Sequence, residues 1–196
     1  MEECTLNNAK KISGVHYTVN HSGKMEGMQS LSTSTLINER CRINAQIPGS
    51  VCAKCYAETQ LKRFTTMQSP LDKNFEILTS RILSDDEIPL IYTPYFRFEA
   101  FGDIANEIHV INYFKHCYKN PNVKFALWTK NPDYIAEAIA DGYSKPENLN
   151  IVLSSLFVNV ERKNPFPFVD KVFTVYDPAT IEAENININC GARSCF

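Results

Sequence analysis

Apolar positions in the second half of the chain fall into short runs separated by longer stretches of helical spacing. YFRFE (95–99), VKFALWT (123–129), NIVLSS (150–155) and KVFTVY (171–176) each predict a strand. Between the first two lies IANEIHVINYFKHCYKN, with Ile104, Ile108, Ile111 and Phe114 at three- and four-residue steps. That spacing predicts an amphipathic helix, with Gly102-Asp103 as the turn before it and Asp103 as its N-cap. Between the next two, PDYIAEAIA predicts a short helix stopped by Gly142. Asn120-Pro121 and Asn131-Pro132 are turn signals. Strands alternating with helices imply βαβ units and a parallel sheet with right-handed crossovers. The strands are nearly all apolar, which fits a sheet covered by helices. The expected fold class is α/β: a partial (β/α) barrel or an open, mainly parallel sheet with covering helices.

The first half is less regular. Residues 1–40 read as an irregular or β-like segment, with a strand at 14–20 and a turn in HSGKMEG. SLSTSTL fits a strand or a loop. A helix is expected from near Cys52 or Cys55. A second helix is expected to open at Pro70, presenting Leu71, Phe75, Leu78 and Ile82 on one face.

The chemistry-bearing stretch lies between these parts. CRINAQIPGSVCAKCY (41–56) holds Cys41, Cys52 and Cys55, with Pro48-Gly49 as a turn signal. It reads as a polar cysteine loop. A C-x2-C pair can aim both sulfurs at one metal ion or cluster. Two more cysteines, Cys190 and Cys195, sit in the terminal NCGARSCF. These five are the candidate metal ligands; Cys4 and Cys117 read as buried small hydrophobes. Thiolates select zinc or iron–sulfur chemistry over hard cations. Zinc in a structural site takes four protein ligands, and a 4Fe–4S cluster takes four thiolates, or three with one iron left open. Spacing alone does not separate the two metals.

Composition narrows the class. The chain has 196 residues, 44% of them hydrophobic, and a net charge of −2. That length and apolar content suit a single α/β domain over 1–196, made of the N-terminal segment (1–40), the cysteine loop (41–56), the βα repeats (95–180) and a cysteine tail (185–196). The charge argues against a nucleic-acid partner, the basic run Lys54, Lys62 and Arg63 being too small. No apolar run is long enough for a membrane span, and MEECTLNNAKK has no signal-peptide core. Without secretion, the cysteines point to a cytoplasmic, reduced setting.

In parallel α/β folds ligands bind at the C-terminal ends of the strands. That rule selects Arg97, Glu99, Gly102 and Asp103 after the first predicted strand, and Trp128, Thr129, Lys130 and Asn131 after the second. Ser154, Ser155 and Asn159 follow the third, and Tyr176 and Asp177 the fourth. Of these, Glu99, Asp103, Lys130, Ser154 and Asn159 are the candidate residues for a small-molecule ligand or cofactor. Each has a structural alternative: Asp103 and Asn131 as helix caps, Arg97 with Glu99 as an ion pair, Trp128 as core. The catalytic residue is not assigned. His16, His21, His109 and His116 read as structural or solvated, since none forms an i, i+4 metal pair.

The order C-x2-C-Y-A, FRFEAFGDIAN, LWTKNP and NIVLSS resembles the bacteriophage gene product eighty-eight family, over about residues 30–196. It is more distantly similar to radical-SAM-like iron–sulfur proteins. The resemblance implies a cysteine-bound 4Fe–4S cluster at the mouth of a partial barrel, with Cys41, Cys52 and Cys55 as the front ligands and Cys190 and Cys195 in a cysteine-rich tail. One reading of such a cluster is a radical enzyme that binds S-adenosylmethionine and acts on an unknown substrate in a host cytoplasm. The front spacing here is C-x10-C-x2-C, where most radical SAM enzymes have C-x3-C-x2-C. The alternative is a non-catalytic module in which zinc or a cluster ties the loop to the tail, serving regulation or host interaction.

Overall fold

Alternation along the strands decides which way the sheet faces. In a strand successive side chains point to opposite faces, and in a parallel pair the register partners share a face. Phe96, Phe125 and Leu149 are register partners, as are Leu31, Phe98, Leu127 and Ile151. All seven are buried in the hydrophobic core. The residues between them, Ser30, Arg97, Ala126 and Asn150, form a second row of register partners on the opposite face. One face of the sheet is thus packed and apolar, and the other is mixed. The near-continuous apolarity expected for a sheet covered alike on both faces does not hold.

The computed structural model describes residues 6–21 and 26–186. The chain forms α1 (Leu6–Ser13), β1 (Thr18–Val19), β2 (Gln29–Leu31), α2 (Glu39–Gln46), α3 (Tyr56–Arg63), α4 (Thr65–Ser80), β3 (Tyr95–Phe98), α5 (Glu107–Lys119), β4 (Lys124–Thr129), α6 (Asp133–Ala140), β5 (Leu149–Ser154), β6 (Lys171–Phe173) and α7 (Pro178–Ala183). The six strands make one sheet in the order β1-β2-β3-β4-β5-β6. β1 is antiparallel to β2, and every later neighbour pair is parallel. The fold is a mixed α/β arrangement with a mostly parallel six-stranded sheet. α5 packs against α4 and against α6.

The core is aromatic. Phe98 stacks on Tyr113 of α5 with centroids 4.1 Å apart and on Phe125 at 5.2 Å. Cys117 of α5 is fully buried, as expected. Cys4 lies outside the described residues.

Several expectations are corrected. Residues 6–13 form a helix, not an irregular or β segment. The strand expected over 14–20 is only Thr18–Val19, and that over 171–176 only Lys171–Phe173. SLSTSTL is a strand only as far as Leu31; beyond it Ser32, Thr33, Ser34 and Thr35 are buried without strand structure. The helix expected to open at Pro70 begins at Thr65 and carries Pro70 inside it. It ends at Ser80, so Ile82 falls beyond it and is exposed. Its buried positions are Leu71, Leu78 and, unforeseen, Asn74, which bonds His16 and the Ser32 carbonyl. Asp103 does not cap α5; Asn106 does, accepting from His109 N. Residues 41–56 are not a loop. Cys41 lies in α2, Cys52 in a 3₁₀ turn (Val51–Lys54), and Cys55 is the residue before α3.

Candidate functional site

The cysteine segment is fastened to the C-terminal ends of the strands. Asn38, fully buried, caps α2 by accepting from Arg40 N and Cys41 N. Its amide donates at 2.7 Å to the Asp103 carbonyl beyond β3. The 3₁₀ turn is tied to the end of β5: Val51 N donates to Leu156 O at 2.8 Å, and Ser50 pairs with Phe157. Tyr56 at the start of α3 donates to the Ala100 carbonyl at 2.5 Å. Separate bonds from before α2, from the 3₁₀ turn and from the start of α3 thus hold the cysteine-bearing segment over one strand-end region.

Cys41, Cys52 and Cys55 line a cleft of about 320 Å³. The facing wall includes Arg97, Trp128 and Ser154 of the strands, with Glu99, Asp103 and Lys130 just beyond them. Among the described residues all three thiols are free of disulfides. Burial pushes the Cys41 thiol well above its ordinary pKa, and Asp103, Glu99, Cys52 and Cys55 push it the same way. Burial also raises Cys52, opposed by Lys130 and assisted by Cys55 and Asp103. The thiols therefore sit within electrostatic reach of one another and of two acids. Among the described residues no three His, Cys, Asp or Glu side chains meet in the arrangement of a single-ion site. Three sulfurs share the cleft, a donor type that suits soft metals over hard cations.

Two buried carboxyl groups form the floor. Asp103 accepts from Ile104 N, Thr129 Oγ1 and Lys130 N at 2.9, 2.5 and 2.9 Å. These bonds favour its charged form, but burial is the larger effect and raises its pKa. Glu99 has φ of +52°, a conformation rarely taken by residues other than glycine. It accepts from Thr33 N at 3.1 Å, from Thr33 Oγ1 at 2.9 Å and from Tyr113 Oη at 2.6 Å. Burial raises its pKa to about 8, against the lowering effect of those donors. His109 Nε2 lies 3.3 Å from Glu99 Oε1, and burial lowers the His109 pKa to about 3. A neutral imidazole beside a protonated carboxyl is consistent with both shifts, so the contact is not a salt bridge at neutral pH. Gly102 closes the floor: a Cβ there would lie 2.6 Å from Glu99 Oε2 and from Thr33 O, and its φ is +87°.

Of the residues selected at strand ends, Arg97, Glu99, Gly102, Asp103, Trp128, Lys130 and Ser154 line this cleft. Arg97 does not pair with Glu99; its guanidinium lies 5.5 Å from the Trp128 ring centroid. Asn131 is not a helix cap but donates to Ile104 O. Asn159 is not in the cleft. It is exposed and bonds the Asp177 side chain and backbone, and Asp177 caps α7. Tyr176 donates to Glu161. Their place after the strands is right, but the chain turns away before reaching the cleft. Cys190 and Cys195 lie outside the described residues. Residues that sequence reasoning missed are Thr33, Tyr113 and His109, the surroundings of Glu99, and Asn44 and Phe173 of the lining. The one signal for Thr33 was the polar run STST, read without its partner; Tyr113 and His109 lie in the sequence of α5 with no such signal.

The model of the Gene product 88 family matches residues 5–174. The chain belongs to that family of phage gene products. The matched segment contains all six strands and Cys41, Cys52 and Cys55, and stops short of Cys190 and Cys195. No curated protein and no solved structure matches the chain. Among the described residues no helix is long and apolar enough to cross a membrane.

Proposed function

We propose that this Gene product 88 chain is an iron–sulfur protein whose cluster is held by Cys41, Cys52 and Cys55, and that it is an enzyme acting on a small molecule in the cleft. The observation that carries the reading is that three thiols, one from α2 and two from the 3₁₀ turn and its end, line one cleft at the C-terminal ends of parallel strands. Strand order that follows the chain from β2 to β6 is the order of a partial (β/α) barrel, and its mixed face would be the barrel interior. The family match ends before the tail cysteines, which favours three ligands and an open position over a four-cysteine staple. Cys41, Cys52 and Cys55 would hold the cluster, and when bound with one iron open it would supply a site for S-adenosylmethionine and the electron for radical chemistry. The residues of the chain do the rest. Trp128 and Arg97 form the wall that faces a bound molecule, Lys130 offers a cation, and the protonated Glu99 holds a proton at the floor. Metal binding would expel the thiol protons of Cys41 and Cys52, which burial keeps on. Thiolate ligation of this kind suits a reducing compartment, the host cytoplasm.

Anaerobic purification with iron, sulfide and zinc analysis tests this. Iron and sulfide in equal amounts with a brown chromophore is the expected result. A colourless protein with one zinc would sink it and establish the metal-stabilised module instead. Cys52→Ala should lose the metal. Production of 5′-deoxyadenosine from S-adenosylmethionine under reductant tests the enzyme, and none with an intact cluster removes that half of the reading.

A further inference from the structure

Beside the cysteine cleft lies a second cavity of about 480 Å³, and its charge is opposite to that of the chain. Four cationic side chains line it: Arg40, Lys130, Arg162 and Lys163. Two acids share the lining. Asp133 lies 3.8 Å from Arg40, an exposed and long pair, and Glu161 is engaged by Tyr176. Among the described residues, no salt bridge joins Lys130, Arg162 or Lys163 to a carboxylate. The whole chain carries −2, so this excess of cations in one cavity is local.

The cations are also built in, not merely gathered. The Arg162 guanidinium donates through Nη1 to the carbonyls of Lys130 at 3.0 Å and Ser154 at 3.3 Å. That anchors it between the ends of β4 and β5, and half-buries it. Burial lowers its pKa against the pull of Asp133 and Asp103, so a half-buried charge sits there with those two acids in electrostatic reach and neither in a salt bridge with it. The Arg40 guanidinium lies 5.5 Å from the Tyr134 ring centroid, with its Nε buried and unpartnered. A planar fork held in place recognises a tetrahedral oxyanion better than a free lysine does. Lys130 and Asn44 line both cavities, so one molecule can occupy both.

We propose that this cavity binds the phosphate group of a small phosphate monoester whose organic part enters the cysteine cleft past Lys130. The second half of that statement rests on the cleft being the active site; the first does not. A small molecule is favoured over a nucleic acid because the cations line a cavity and the net charge is negative. Phosphate free in solution and phosphate on an ester share this chemistry, and a paired titration separates them.

The test is calorimetric titration of the full chain with inorganic phosphate, adenosine 5′-monophosphate and adenosine. Both phosphates should bind, the ester more tightly, and adenosine at least tenfold more weakly than its monophosphate. Arg162→Gln should weaken phosphate binding at least tenfold. Because that change also frees two carbonyls, Lys163→Gln, on an exposed side chain, is the second variant and should weaken it severalfold without altering the melting temperature. Cys52→Ala should keep phosphate binding, which separates failure of the anion site from failure of the cluster reading. Adenosine binding as well as its monophosphate, or Lys163→Gln and Arg162→Gln both binding phosphate normally, overturns the proposal. So does a short single-stranded RNA that displaces phosphate at lower concentration than the monophosphate does.

Discussion

The two faces of the sheet are built from the same strands and obey different rules. On the helix face, Phe96, Phe98, Phe125 and Leu127 are completely buried, and the three rings pack on one another. On the other face, Arg97, Trp128 and Lys171 are only partly buried and line or border open space. Residues one apart on β3 thus experience opposite demands. Phe98 maximises apolar contact, and Arg97 keeps a guanidinium whose Nε has no partner. The first face supplies stability, since burying aromatic area is the dominant favourable contribution to folding. The second retains polar groups that cost stability and are available to a ligand.

The largest expected effect breaks the first face. Phe98→Ala removes a ring stacked on both Tyr113 and Phe125. It should cost about 3–5 kcal/mol in urea unfolding. A loss under 1 kcal/mol would mean that the helix face does not carry the fold.

The seam between the faces comes next. Gly102 sits where Glu99 and Thr33 close the floor, at positive φ and with no room for a methyl group. Gly102→Ala should destabilise by about 2–3 kcal/mol, through left-handed backbone strain and a collision with the Thr33 carbonyl. The same variant should lose ligand binding in the cleft, because the nearest movable atom belongs to Glu99. If Gly102→Ala is neutral by thermal melting, the floor is looser than its contacts indicate.

These effects bear on what could be read from the sequence. The four later strands, α5 and α6 were legible because apolar runs and Asn-Pro breaks are local signals. The two faces were not separated, because Ala126 and Val152 sit on the mixed face and look like core. α2 was illegible because none of its residues is buried; it is held by the Asn38 cap and by the strand-end bonds, which sequence spacing does not encode. Pro70 misled because proline usually opens a helix, and here tertiary packing of Leu71, Asn74 and Leu78 carries the helix through it. At the site, strand-end logic selected Glu99, Asp103, Lys130 and Ser154, whose backbone position at the strand ends puts them in the cleft lining. It misplaced Asn159, which follows β5 by five residues and by then has turned to Asp177. The partners of Glu99 came from 14 and 66 residues away and could not be paired without a fold.

A smaller effect comes from protonation at the floor. Glu99 titrates near pH 8 folded and near 4.5 unfolded, so the folded state holds an extra proton between those values. Stability from this group therefore falls as pH rises through that window. His109 and His116 have the opposite sign. Burial lowers them to about 3 and 4 from 6.5, so they cost stability as pH falls below 6.5. Between pH 4.5 and 6.5 two histidines outweigh one carboxyl; from 6.5 to 8 the Glu99 effect remains. Unfolding free energy should thus peak near pH 6.5 and drop on the order of 1 kcal/mol by pH 8. Glu99→Gln should flatten that alkaline decline. A decline unchanged in Glu99→Gln would assign it to another group.

The smallest expected effect is the most informative about the second face. Arg97→Met removes a part-buried charge while keeping a side chain of similar length against Trp128. The guanidinium gains a cation–π contact worth about 0.5–2 kcal/mol and pays to leave water with an Nε unpartnered. These oppose each other, so the variant should unfold within about 0.5 kcal/mol of the wild type, or slightly above it. Its binding of a small molecule in the cysteine cleft should nonetheless weaken, because the charge and the planar fork are gone. Unchanged stability with lost binding would show that this face is kept for a ligand. A loss as large as that of Phe98→Ala would make Arg97 a structural residue and erase the distinction between the faces.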